Sequence, residues 1–410
     1  MLPRARTPRE GAIAGGGEIS RPAGTREAPV PALAHRKQKL PSLTGLRFIA
    51  AFMVVLGHIG TNLLPRVAPD QIFGIRLFHE FGAVGVSFFF ILSGFVLTWV
   101  AREEDTRPRF WRRRFFKIYP NHLVTFVAAC LLAVTANHAL SGRDTIATLT
   151  LVHAWIPDQP LLFNLWSNTP TWSLACELLF YLSFPWLLTL LRKIKPGRLW
   201  LWFAGTYAAI WAVPLVAALF LNSGGVHRGT GEPWHGVWFM TFFPPVRMLE
   251  FVLGIVTALI VIHGRWIRFP LPVALVLPVI PLVVKADVTD SIGFVTLTAV
   301  PLAFLVAAAA QADIAGSGKG VLRGRVMVFL GEISFALYLV HWLVVAYGWI
   351  GRTSPTWGAS PGTASSWPMV LTLAVVTIAV SLVLAWLLYV LVERPVMRRW
   401  SRPARARQGV

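Results

Sequence analysis

Charge is scarce in this chain, and acid is scarcest: Asp, Glu, Lys and Arg make up 14% of its 410 residues, with 18 acids against 38 Lys and Arg. Soluble domains carry about 25% charged residues, so most of this length cannot be folded in water. Cysteine is nearly missing too. Cys130 and Cys176 both sit inside apolar runs, which excludes a disulfide framework and any zinc-type cysteine spacing. No HExxH, GxxxxGK[ST] or GxSxG is present, and the GSGKG at 316–320 lacks the spacing and the following Ser or Thr of a phosphate-binding loop. No metal is expected. The first forty residues hold no apolar stretch ahead of a small-residue cleavage site, so no signal peptide is expected either.

What fills the chain instead is hydrocarbon. Hydrophobic residues reach 55% and the mean hydropathy is +0.62. Apolar runs long enough to cross a bilayer recur at 45–64, 82–100, 118–137, 171–191, 199–221, 244–262, 269–285, 291–309, 327–349 and 367–391. The expected fold class is all-α, a polytopic transmembrane bundle of about ten spans with both termini in the cytoplasm. Residues 1–40, rich in Pro, Gly, Ala and Arg, read as a disordered cytoplasmic tail. Residues 41–395 form the membrane domain, and 396–410 a second basic tail. The apolar segments 145–156 and 161–166 are too short to cross and are broken by Pro157 and Pro160. They are expected as interfacial or re-entrant structure in an outer loop, a candidate lid.

The net charge of +20 raises nucleic acid as a partner, but its placement argues for topology. Threading the ten spans puts 30 of the 38 Lys and Arg in inside segments and 6 in outside loops; without the N-terminal tail the ratio is still 22 to 6. Removing one span would invert every later loop, so the asymmetry supports the count.

Charged residues inside spans are costly and usually face a protein-lined cavity. Arg47 and His58 lie eleven positions apart in LTGLRFIAAFMVVLGHIG. That is three turns plus about 20°, so both point the same way, roughly 16 Å apart along the axis. One groove can then touch an anion at the inner end and a reaction centre deeper in. The alternative is that Arg47 snorkels to headgroups and His58 bonds a neighbouring carbonyl. Glu177, in TWSLACELLF, reaches a similar depth, where it can fix the His58 tautomer, pair with Arg247, or form a structural ion pair. Arg247 and Glu250 share one helical face and can neutralise each other. Together with His341 in GEISFALYLVHW they are candidates for an acceptor site or for structural polar contacts. In WRRRFFKIYP, Arg112, Arg113, Arg114 and Lys117 form either a topology signal or an anion site for a nucleotide-phosphate headgroup. Ser93 and Gly94, in VSFFFILSGFVLTW, permit close helix approach.

In this order the segments resemble the acyltransferase-3 family of multi-spanning membrane acyltransferases over residues 40 to 395: Arg47 with His58, FFFILSGF at 88–95, RRRFFKIYP at 112–120, WSLACE at 172–177, RMLEF at 247–251, GEISFALYLVH at 331–341 and ERP at 393–395. The resemblance implies transfer of an acyl group, often acetyl, from cytoplasmic acyl-CoA to a hydroxyl of a sugar-containing acceptor. His58 is then the family's essential histidine and Arg47 its paired basic residue, with Arg112, Arg113 and Arg114 in the basic inner motif and Glu177 in the Trp-Ser-x-x-x-Glu segment. Lys117 stands where the motif often has another arginine, which keeps the charge but weakens bidentate phosphate binding. The hydrolase-like domain of some relatives is not seen here.

A thioester is already activated, so the remaining chemical demand is to remove a hydroxyl proton. The resemblance thus implies neutral His58 as general base, Glu177 or another carboxylate steadying the imidazolium, and Arg47 with the inner basic residues holding the CoA phosphates. Direct transfer is preferred over an acyl-histidine relay. The expected acceptor is a glycosylated small molecule such as a macrolide-type antibiotic. Cell-wall or surface polysaccharide or a lipid-linked sugar is the second choice, and a transporter of an anionic or amphipathic solute is the alternative of a different class. The expected setting is the plasma membrane, with lipid and acyl-CoA as partners and no nucleic acid.

Overall fold

A computed structural model describes residues 38–102, 105–163, 166–227, 231–287, 295–316, 320–352 and 365–400. Most of the two tails, Arg228 and the centre of GSGKG lie outside the described residues. The described chain is helical, with ten apolar helices. Eight are long enough to cross a membrane: α1 (Pro41–Leu63), α2 (Ile72–Val100), α3 (Arg107–Thr135), α4 (Trp172–Leu191), α5 (Leu199–Phe220), α6 (Pro244–Ile262), and, after the two shorter α7 (Leu271–Ala286) and α8 (Ala299–Ile314), α9 (Arg325–Tyr347) and α10 (Trp367–Leu388). The protein is therefore a membrane protein; the ten apolar helices fall at the expected runs, eight of them long enough for a full crossing and α7 and α8 shorter. The start of the 291–309 run lies outside the described residues.

Backbone polar groups have no water to bind inside a bilayer, so each crossing segment closes its own bonds as a helix. The apolar sides then divide by neighbour. α5 and α10 leave large side chains such as Leu219, Phe220, Leu371 and Val375 exposed, as lipid-facing helices must. α1, α2, α6 and α9 form the packed centre: α1 lies against α2 and α9, α2 against α6, and α9 against α10. The α2–α6 crossing is close enough to require glycine on both sides. A Cβ on Gly94 would stand 2.0 Å from the Phe251 carbonyl oxygen, and one on Gly254 would stand 1.9 Å from that of Ile91. Such helix approach replaces the missing hydrophobic drive between helices in lipid with van der Waals contact.

Polar ties show which helix ends meet. At one end, the Asp313 carboxylate of α8 accepts from the Ser42 backbone N–H at 2.9 Å and its hydroxyl at 2.7 Å, and pairs with Arg323 just before α9 at 3.1 Å. The Trp99 indole of α2 donates to the Gln38 carbonyl there, and Trp400, beyond α10, stacks on Phe116 of α3. This end carries Arg112, Arg113 and Arg114 and is called the basic end below. At the opposite end, Lys285 of α7 forms a buried ion pair with Glu80 of α2 at 2.8 Å, and Arg66 donates to the Ile350 carbonyl.

The segment between α3 and α4 folds as short helical turns, among them Gly142–Leu149, His153–Trp155 and Gln159–Leu162. It is anchored: Trp234 and Trp238 donate to the Pro157 and Ala154 carbonyls, and Asn168 donates to Leu339 of α9. Burial, and secondarily the neighbouring His122, push the His153 imidazole down to about 4. This anchor therefore stays neutral at physiological pH.

Candidate functional site

α3 delivers the basic motif with helical periodicity, so its residues do not act alike. Phe110, Arg114, Ile118 and Asn121 share the inward face, whereas Arg112 and Phe115 are exposed. Arg113 pairs with Asp105 just before the helix. Lys117 pairs with Glu393, which also accepts from Asn121 Nδ2 at 2.7 Å. Glu393 closes a π-helical turn, Tyr389–Glu393, that extends α10. Such turns are rare and often sit at functional sites.

Beside this face, α4 presents Glu177 and Tyr181 one turn apart, and the Tyr181 hydroxyl donates to Glu177 Oε2 at 3.1 Å. Arg47 comes from α1. Together Arg47, Arg114, Lys117, Glu177 and Tyr181 form the polar wall of a cavity of about 140 Å³. Its other walls are mostly apolar, among them Phe89 and Phe90 of α2, with Ser93, Ser173 and, from α9, Tyr338 also lining it. Lys117 already has its carboxylate partner. Among the described residues, Arg47 makes no hydrogen bond or ion pair, and the buried Arg114 Nε has no partner. The Arg114 guanidinium instead lies over the Phe110 and Tyr181 rings, 5.7 and 5.9 Å from their centroids. Two guanidinium groups facing one cavity, with Glu177 as the nearby acid, make a site with spare positive charge, suited to an anion.

His58 is not part of that lining. Its Nδ1 lies 2.9 Å from Nε2 of His341, and the two rings stack with centroids 5.1 Å apart. Trp342 meets His58 edge-on at 4.9 Å. Tyr338, one turn before His341 on α9, links the two regions. It faces the cavity, its ring lies 5.9 Å from His341 and 6.1 Å from Phe89, and its hydroxyl bonds Ser173 and the Pro170 carbonyl. The single groove expected from the eleven-residue spacing is therefore not seen as one cavity: Arg47 lines the cavity and His58 does not, and Tyr338 borders both the cavity and the His58–His341 pair. Glu177 likewise sits with the cations at the basic end rather than on His58. The histidine's hydrogen-bond partner is His341.

Arg247 and Glu250 are 1% and 2% exposed and pair at 2.9 Å. Arg247 also donates to Ser87 and lies over the Phe90 and Trp172 rings. Neither residue lines the cavity, and their contacts tie α6 to α2 and α4. Sequence reasoning had assigned no role to Tyr181, Tyr338 or Glu393. Glu393 did carry a signal, a carboxylate closing the last apolar run.

The acyltransferase-3 family, described as an acyltransferase domain, matches residues 40–386. The chain is 42% identical over 380 residues to acyltransferase MdmB of Streptomyces mycarofaciens, covering 90% of this chain and 94% of that protein. It is 30% identical over 177 residues to the O-acetyltransferase OatA of Staphylococcus aureus, covering 39% of this chain and 26% of that one. No solved structure matches.

Proposed function

Because the chain belongs to the acyltransferase-3 family, a family of membrane enzymes that move acyl groups, we propose that it transfers acetyl or another short acyl group from acyl-CoA to a hydroxyl of a glycosylated small molecule such as a macrolide-type antibiotic. The observation that carries this reading is the pair of guanidinium groups, Arg47 and Arg114, facing one cavity at the basic end. The positive-inside distribution sets that end, and with it both termini, toward the cytoplasm, where acyl-CoA is made. The setting we read for it is the plasma membrane.

A cavity of about 140 Å³ is well below the ~300–1,000 Å³ of a pocket for a drug-sized ligand. It suits a slender pantetheine arm and its acyl tip rather than a nucleotide. The phosphates attached to that arm rest at the mouth on Arg47 and Arg114, and the exposed Arg112 offers further charge on the surface. Glu177, which accepts from Tyr181, lines the same cavity and offsets part of the positive charge of the two guanidinium groups.

The chemistry asked of the chain is a proton transfer. His58 takes the proton of the acceptor hydroxyl as its oxygen bonds to the thioester carbon. The carbon–sulfur bond breaks, the thiolate takes the proton from the imidazolium, and ester and free thiol leave. For the acyl tip to meet His58, a path must open past Tyr338, which borders both the cavity and His341.

Purified protein in lipid nanodiscs, given isotope-labelled acetyl-CoA and a panel of acceptors, should place label in an ester on a sugar hydroxyl of a glycosylated macrolide, read by mass spectrometry. Surface polysaccharide or lipid-linked sugar is the second acceptor class, and label appearing there alone would select it. Solute movement across a vesicle membrane with no ester formed would overturn the enzymatic reading.

A further inference from the structure

The two imidazoles fix each other's protons. His341 is fully buried, and its Nδ1 lies 3.1 Å from the Leu337 carbonyl oxygen, one turn back on α9. A carbonyl only accepts, so Nδ1 of His341 carries the hydrogen, and in the neutral ring Nε2 is left with a lone pair. That lone pair faces His58 Nδ1 at 2.9 Å. The hydrogen between the rings must therefore sit on His58 Nδ1, which leaves His58 Nε2 bare. Resting on the reading of His58 as general base, we propose that His341 is its positioning residue, a neutral imidazole that holds the base in the tautomer with Nε2 free to take the hydroxyl proton.

A carboxylate does this work in many enzymes, orienting the imidazole and offsetting its charge. Here the carboxylate expected from the sequence, Glu177, is occupied with Tyr181 at the cavity. Deep in a bilayer a neutral orienter has its own advantage, because the resting pair carries no charge to desolvate. When His58 Nε2 gains a proton, the Nδ1–H bond to His341 shortens and shares the positive charge across two rings. Trp342, edge-on to His58, and Tyr338, tilted beside His341, limit ring rotation. The chain from the Leu337 carbonyl through His341 to His58 is thus continuous within hydrogen-bond distance.

The tautomer is read on the unmodified protein by ¹⁵N NMR of histidine-labelled samples, with His58 assigned by its loss in His58→Ala. The expected spectrum has His58 Nδ1 protonated and Nε2 unprotonated; the reverse assignment overturns the proposal. With acetyl-CoA and a glycosylated macrolide as probes, His341→Leu removes the hydrogen-bond acceptor of His58 and should lower kcat by up to about 10⁴-fold, the loss seen when the orienting group of the serine-protease triad is replaced, while KM for acetyl-CoA stays near its original value. His341→Gln, whose side-chain oxygen can accept from His58, should restore most of kcat. A purely structural histidine would instead give equal losses in both variants, or changes in melting temperature without the kcat and KM split. Full turnover by His341→Leu with an inactive His58→Ala sinks the relay alone, whereas turnover by His58→Ala removes the base itself.

Discussion

His58→Ala should reduce turnover by about 10²–10⁴-fold, the usual contribution of a positioned general base, while the purified variant remains monodisperse. The size of the effect follows from the reaction. A sugar hydroxyl holds its proton far above neutral pH, and the hydrogen-bond chain through His341 frees a basic nitrogen on the His58 imidazole. The fold should tolerate the change. His58 is half-buried, and its loss removes the edge contact to Trp342 and leaves His341 Nε2 without a donor. An unsatisfied buried group costs about 1–3 kcal/mol, a measurable drop in melting temperature rather than unfolding. Activity should thus fall far more steeply than stability. An inactive variant that is also aggregated would not count, and His58→Gln, which keeps the polar contact without a basic nitrogen, then decides. Turnover by that variant contradicts the assignment.

The basic motif offers the second large effect, because the structure separates residues that look equivalent in RRRFFKIYP. Arg47→Ala and Arg114→Ala each remove a guanidinium facing the cavity. A hydrogen bond to a charged group contributes about 1.5–3 kcal/mol, and every 1.4 kcal/mol is tenfold. KM for acetyl-CoA should therefore rise by about 10- to 100-fold in each. Arg113→Ala breaks a partly exposed pair with Asp105, a class worth about 0–1 kcal/mol, so KM should hardly move. Lys117→Ala belongs to a third category. It strands Glu393, 2% exposed, without its cation, and breaking a buried pair costs about 3–5 kcal/mol, so its main signature is a lower melting temperature. Detergent-solubilised variants measured for both KM and thermal unfolding separate the three classes. Equal KM changes at 113 and 114 would return the motif to a topology signal.

The spans were legible because a bilayer imposes a length and a polarity that hydropathy reads directly. Their bounds were less so: α2 begins at Ile72 and α3 at Arg107, where the apolar runs begin at 82 and 118. Both helices run to 29 residues, longer than a bilayer crossing needs, and their first turns mix polar with apolar residues, so helix and apolar run do not coincide. Among site residues, those visible in the sequence were the charges and histidines that lipid would reject, Arg47, His58, Glu177, Arg247, Glu250 and His341. Their partners were not visible. Helical spacing puts Arg47 and His58 on one side of α1, but whether they share a cavity depends on where α2 and α9 pack, and Tyr338 is an ordinary aromatic in an aromatic-rich chain. The same limit hid the His58–His341 contact, made between positions 283 apart.

An experimental structure with a non-hydrolysable thioether analogue of acetyl-CoA bound probes the account at its centre. The account predicts phosphates against Arg47 and Arg114, a path opened past Tyr338, and the acyl carbonyl seated so that an attacking oxygen would lie about 3 Å from His58 Nε2. Density for the analogue away from that cavity, with the His58 ring facing lipid and no passage leading to it, would contradict it.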